Sequence, residues 1–148
     1  MSMSLFLTMN IFAATKTVNK NDLKIKEAHY YIDENELYTG KAVFKRDRAY
    51  FVNGRAVGKW ITFYNNGNIK SITNWEDGKL NGKYILYENN GTKSMETIFF
   101  NGKENGYYNS YYENGNLRMS GYYEMGKPIG TWEYFDRTGK LTGRTVVK

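Results

Sequence analysis

An all-β fold, an elongated antiparallel array of β-hairpins in about four 24-residue repeats, follows from three observations on the sequence. Gly54, Gly78, Gly102 and Gly126 are spaced by 24, as are Gly58, Gly82, Gly106 and Gly130, and again Gly67, Gly91, Gly115 and Gly139. Twelve of the 15 glycines therefore share one period without an insertion. Many of them follow Asn or Asp, as in Asn53-Gly54, Asp77-Gly78, Asn101-Gly102, Asn66-Gly67, Asn90-Gly91 and Asn114-Gly115. Such pairs favour tight hairpin turns in which both central residues take positive φ. Aromatic residues keep the same beat: Phe51, Trp75, Phe99 and Tyr123; Trp60, Tyr84, Tyr108 and Trp132; Phe63, Tyr87, Tyr111 and Phe135.

In chain order, residues 1–14 end an apolar run, Met3 to Ala14, with two alanines, and the first cation is Lys16. That length suits the apolar core of a signal peptide and is too short for a membrane-spanning helix. Export to the periplasm or cell surface is the expectation, with a cytoplasmic chain as the alternative. Residues 15–37 are expected to form a capping strand or hairpin, because the step from Gly40 to Gly54 is 14 residues where later copies have 20. Residues 38–148 are the repeat domain, with one strand between each pair of turns. Between turns, Ile69, Ser71, Thr73 and Trp75 share one side and Lys70, Ile72 and Asn74 the other. Met95 and Phe99, then Leu117, Met119 and Tyr123, continue the first side in later copies. Trp60 and Phe63 have opposite parity in the preceding strand, which calls for a bulge or for two covered faces.

Composition narrows the chemistry. The chain has no cysteine and one histidine, His29, so disulfides, thiolate metal sites and a histidine metal cluster within one chain are excluded. Aromatic residues make up 17% of it, too many for a disordered chain. Gly121-x-x-x-x-Gly126-Lys127 imitates a phosphate-binding loop, but Pro128 stands where a hydroxyl must reach Mg²⁺. Glu88 and Asp136 share a phase two repeats apart, which places them about 19 Å from each other, beyond a glycosidase pair. No cofactor, metal or catalytic residue is expected, and the chain reads as a non-enzyme.

The residues also resemble a known family. The stretches from Gly58 to Gly67, Gly106 to Gly115 and Gly78 to Gly82 look like the bacterial variant of the MORN repeat. Leu37-Tyr38-Thr39-Gly40-Lys41 looks like the opening motif of the YwqK-type antitoxin family, built from such repeats. The resemblance covers roughly residues 37–148 and implies a non-enzymatic scaffold that binds proteins or membranes. Residues 132–143 also look like a choline- or glucan-binding wall repeat, although those run near 20 residues and this period is 24.

The expected function is a scaffold for an unidentified protein partner, through Trp60, Tyr64, Tyr112 and Trp132 on an aromatic sheet face. The two tryptophans serve equally well as ladder residues inside the fold. Arg55, Lys79, Lys103 and Lys127 each follow the first glycine of a unit and should form a row of exposed cations, secondary contacts for an anionic surface. Alternatives are an anionic-lipid or cell-wall glycan module and an antitoxin-like neutralising protein. Nucleic acid is disfavoured, because a formal +6 is modest and the acids are interleaved with the bases. Edge strands offer a route to self-association.

Overall fold

The computed structural model describes residues 16–26, 29–32 and 36–148; the proposed signal segment, 1–14, lies outside the described residues. Eleven strands form one sheet. In chain order they are β1 (Lys16–Asn19), β4 (Gly40–Phe44), β5 (Asp47–Val52), β6 (Arg55–Phe63), β7 (Ile69–Glu76), β8 (Lys79–Tyr87), β9 (Lys93–Phe100), β10 (Lys103–Tyr111), β11 (Leu117–Glu124), β12 (Lys127–Phe135) and β13 (Leu141–Val147). A second, two-stranded sheet joins β2 (Lys24–Lys26) to β3 (His29–Tyr31). From β4 to β13 each strand pairs antiparallel with the next, the meander that the glycine spacing predicts. β1 departs from it and runs parallel to β4.

Two classes of turn alternate. Asn53-Gly54, Asp77-Gly78 and Asn101-Gly102 take positive φ at both residues, 47° and 70° in the first pair, as the tight hairpin requires. Met125-Gly126 does the same at 48° and 86°, so a methionine occupies a backbone region that favours Asn or Gly. Asn105 Oδ1 accepts the Met125 amide at 3.1 Å and helps hold it there. The other class corrects the sequence expectation. At Asn66-Gly67 only the glycine has positive φ, 93°. The five residues 64–68 form a wider loop closed by Tyr64 N–H on Asn68 O, 2.9 Å, and Gly67 N–H on Tyr64 O, 3.0 Å. Asn66 accepts the Asn68 amide on its side-chain oxygen, 3.0 Å, which holds the loop through a side chain rather than a left-handed asparagine. Residues 88–92, 112–116 and 136–140 repeat the loop.

Trp60 and Phe63 fall on opposite faces, Trp60 across from Thr73 and Phe63 beside Val43 and Arg48, so both faces carry aromatics. A bulge also shapes the strand after each tight turn. Trp75 pairs with Leu80 and Thr73 with Tyr84, so residues 81–83 face the single Asn74. Gly82 takes φ 101° at the centre of this bulge, and Asn74 Nδ2 donates to Lys83 O at 2.7 Å. The same shift recurs where β10 meets β9 and where β12 meets β11. It lengthens the strand after each tight turn, which is why Gly54 to Gly67 spans 13 residues and Gly67 to Gly78 spans 11.

The core sits at the N-terminal end. Tyr38, Ala42, Ala49, Phe51 and Ala56 are buried, with Val18, Leu23, Tyr30, Ile32, Trp60 and Trp75 packed on them. Residues 37–38 stand in for the strand of a preceding repeat. Tyr38 O accepts the Gly54 amide at 2.7 Å, just as Ala56 O accepts Gly78, Leu80 O accepts Gly102 and Glu104 O accepts Gly126. The cap thereby satisfies the turn that opens the array, as a terminal repeat must.

Candidate interaction surfaces

The sheet has two unlike faces and two unlike edges. On one face, here the ring face, register places Trp60 opposite Thr73, Thr73 opposite Tyr84, Tyr84 opposite Thr97, Thr97 opposite Tyr108, Tyr108 opposite Gly121 and Trp132 opposite Thr145. Small residues thus separate large rings across the sheet. Neighbouring rings touch: Phe51 and Trp60 have centroids 5.1 Å apart, Trp60 and Trp75 4.9 Å, Tyr84 and Phe99 5.4 Å, and Tyr123 and Trp132 5.1 Å. Offset and edge contacts at such distances add to the area the rings bury.

This geometry places the four aromatic candidates. Trp60 is half-buried, and its Nε1–H donates to Val57 O at 3.1 Å and Tyr50 O at 3.2 Å. Trp132 is 5% exposed and lies flat over Gly121, where a Cβ would fall inside the indole. Both tryptophans are ladder residues. Tyr64 and Tyr112 are staples: their hydroxyls donate to Tyr87 O at 2.7 Å and Phe135 O at 2.8 Å, each in the next unit. Asn66 and Asn68 both donate to Asn89 O, and Asn114 and Asn116 to Arg137 O. Loop 64–68 is thereby tied to 88–92, and loop 112–116 to 136–140. The middle joint carries Glu88 and Thr92 at the corresponding positions. A carboxylate has no proton to give a carbonyl, and among the described residues no such staple crosses from 88–92 to 112–116.

The four turn cations begin β6, β8, β10 and β12 along one edge, each the residue after a tight turn. They are not equivalent. Arg55 pairs with Asp77 through one nitrogen at 2.6 Å to both oxygens and reaches His29 Nε2 at 3.0 Å through Nε. Lys79 donates to Asn101 Oδ1 at 2.8 Å. The row is therefore partly neutralised at the capped end.

The opposite face carries a second row. Register aligns Val43, Arg48, Ile61, Ile72, Ile85, Glu96, Asn109, Ser120, Glu133 and Arg144 on successive strands. The row is apolar over β6 to β8 and polar beyond. Glu96 begins its polar part, with Lys93 at 2.8 Å and the Tyr111 hydroxyl at 2.7 Å. Burial opposes the Glu96 charge, but hydrogen bonds from Lys93, Tyr111 and Asn109 and the lysine's charge outweigh it and hold the carboxyl below its usual range. Burial first, then the bond to Glu96 and its charge, push the Tyr111 phenol up to about 12.

One group went unmarked in the sequence reading. Lys45 and Arg46 form the two-residue turn between β4 and β5, and with Asp47 and Arg48 put three cations into four residues. That run was the available signal. The turn stands where later units have the five-residue loop, and Arg46 packs onto Gly67 in the space a Cβ would occupy.

Two stretches, residues 56–77 and 104–125, match the model of the MORN repeat variant. Those two units are similar to MORN-variant repeats. The two matches start 48 residues apart, so they fall on the units whose loops carry the tyrosine and asparagine staples. No curated protein matches the chain. Two solved structures align over 83% of it: the glycosylation associate protein complex from Streptococcus agalactiae, at 16% identity and TM-score 0.40, and accessory secretory protein 1, 2 and 3 in Streptococcus pneumoniae, at 14% identity and TM-score 0.40. The chain spans 22% of the length of either.

Proposed function

We propose that this MORN-variant array is a non-enzymatic scaffold that docks a protein partner on the face opposite its rings. The observation that supports this is the division of labour between the faces. The ring face spends its aromatics on the fold itself. The opposite face presents a row of side chains that runs from apolar Ile61, Ile72 and Ile85 to charged Glu133 and Arg144, and none of the three isoleucines is fully buried. An apolar centre beside polar and charged flanks is the anatomy of a protein-binding patch. Trp60 and Trp132 leave the list of contact residues, and Tyr64 and Tyr112 act there only through the loops they brace. Export remains part of the proposal and rests on the apolar run of residues 3–14. The YwqK-type resemblance of residues 37–41 adds neutralisation of a partner as the form such docking would take.

The test is photocrosslinking in native cells, with a benzophenone amino acid at position 72 on the row face or at position 86 on the ring face. Protein adducts at 72 and not at 86 support the reading. Adducts confined to 86, or lipid or glycan adducts alone at 72, overturn it.

A further inference from the structure

The end of the row face nearest the cap gathers three cations in the four residues from Lys45 to Arg48. Lys41, Val43, Lys45, Arg46, Asp47, Arg48, Phe63 and Gly67 line a shallow cleft of about 630 Å³, and a narrower one of about 230 Å³ continues it past Tyr64 and Asn65. Its floor is apolar, built from Val43 and Phe63 and continuous through Arg48 with Ile61 and Ile72. Its rim is four cations, of which Lys45, Arg46 and Arg48 are exposed. The one carboxylate in the wall, Asp47, is engaged by the Phe63 amide, which donates to Oδ1 at 2.9 Å. Lys41, Arg46 and Arg48 thus outnumber the one carboxylate that lines the cleft.

Resting on the scaffold reading, we infer that this cleft receives an acidic, apolar-bearing segment of the partner protein. Carboxylates would meet the Lys41, Lys45, Arg46 and Arg48 rim, and a large apolar side chain would lie on Val43 and Phe63. Like charges gathered on one tight turn repel one another, and an acidic segment relieves that repulsion. Arginine suits carboxylates through its planar donors, and Gly67 leaves the room in which Arg46 lies beside the opening. On the turn edge, Arg55 is engaged by Asp77 and Lys79 by Asn101.

The test uses a fluorescein-labelled ten-residue peptide of alternating Glu and Leu, followed by anisotropy on the full chain at low and physiological salt. Its counterpart with Gln for Glu is the neutral control. The expected result is binding of the acidic peptide alone, weakened at least tenfold in Arg46→Glu/Arg48→Glu and less than twofold in Lys103→Glu/Lys127→Glu. The second pair makes the same change in net charge at the far turn edge. Circular dichroism and melting temperature confirm that both variants fold; if the first pair does not, Arg46→Gln/Arg48→Gln replaces it with the same expected direction. Equal losses in the two pairs would show attraction to net charge and overturn the inference. So would phosphatidylserine vesicles or inorganic phosphate binding through Arg46 and Arg48 while the peptide does not. If the probe at position 72 still captures a protein in the Arg46/Arg48 variant as well as in the parent, this inference falls and the scaffold reading stands.

Discussion

Phe51 and Tyr123 occupy the same place in units three repeats apart, yet Phe51 is 1% exposed and Tyr123 only half-buried. At the capped end, the rings of Tyr30 and Tyr38 lie 4.4 and 5.7 Å from Phe51, and Trp60 closes the other side. At the far end, Tyr123 has Tyr108 and Trp132 as its ring neighbours among the described residues. Trp60 and Trp132 differ in the reverse sense. Trp60 is less buried but its indole N–H has two carbonyls, whereas the buried Trp132 Nε1 has no hydrogen-bond partner among the described residues. The repeat phase thus sets which side chain points inward, and the neighbours decide how completely it is buried and satisfied. The cap supplies a second layer at one end; Gly121 supplies only room at the other.

The largest test of this contrast is Phe51→Ala against Phe99→Ala. The first should cost about 3–5 kcal/mol, as for a buried aromatic, and the second roughly half that, because Phe99 lacks a covering layer. Urea unfolding of the two variants measures it, and equal losses would deny the cap its role. Next comes Gly121→Thr, which copies the residue of Thr73 and Thr97 into the site under Trp132. Overpacking should cost about 1–3 kcal/mol. Adding Trp132→Tyr should recover part of that loss, since the threonine copies face Tyr84 and Tyr108. Additive losses in the double variant would mean that ring size and strand residue are not matched.

Smaller effects belong to the loops. Removing the hydroxyl in Tyr64→Phe should cost about 0.5–1.5 kcal/mol by thermal or urea melting. Building the missing staple with Glu88→Tyr/Thr92→Asn should return a gain of similar size; no gain would show that the middle joint cannot close like its neighbours. The smallest effect concerns pH. Tyr111 ionises near 12 in the fold against about 10 in an unfolded chain, so its contribution to stability is whole below pH about 10 and fades as pH climbs through 12. Glu96 acts in the opposite sense: its lowered pKa contributes above the ordinary glutamate range and is lost as pH falls through the folded value. Ultraviolet titration should show one tyrosine ionising near 12, moved down by Glu96→Gln. An unmoved titration would separate the two groups.

The meander was legible because glycine is favoured where φ is positive, and that preference repeats every 24 residues. Asn66-Gly67 misled because asparagine serves two turn classes. It tolerates the left-handed region, as Asn53 does, and it also accepts a backbone amide two residues on, as Asn66 does. Tyr64 and Tyr112 looked like surface binders because their acceptors are backbone carbonyls 23 residues away, which no side-chain pattern records. Their alternation with Glu88 and Asp136 was the visible trace of a 48-residue superperiod. The cleft around Arg46 escaped notice because it arises where the first unit breaks the repeat, and periodicity is blind to its own exception.

Residue-resolved hydrogen exchange tests most directly the account of a one-sided array anchored at its cap. Amides of β5 and β6 should exchange slowest, with protection declining unit by unit to β13, because each unit is held only by its neighbours and only the first has a second layer. Uniform protection from β5 to β13, or the slowest exchange at β12 and β13, would contradict it.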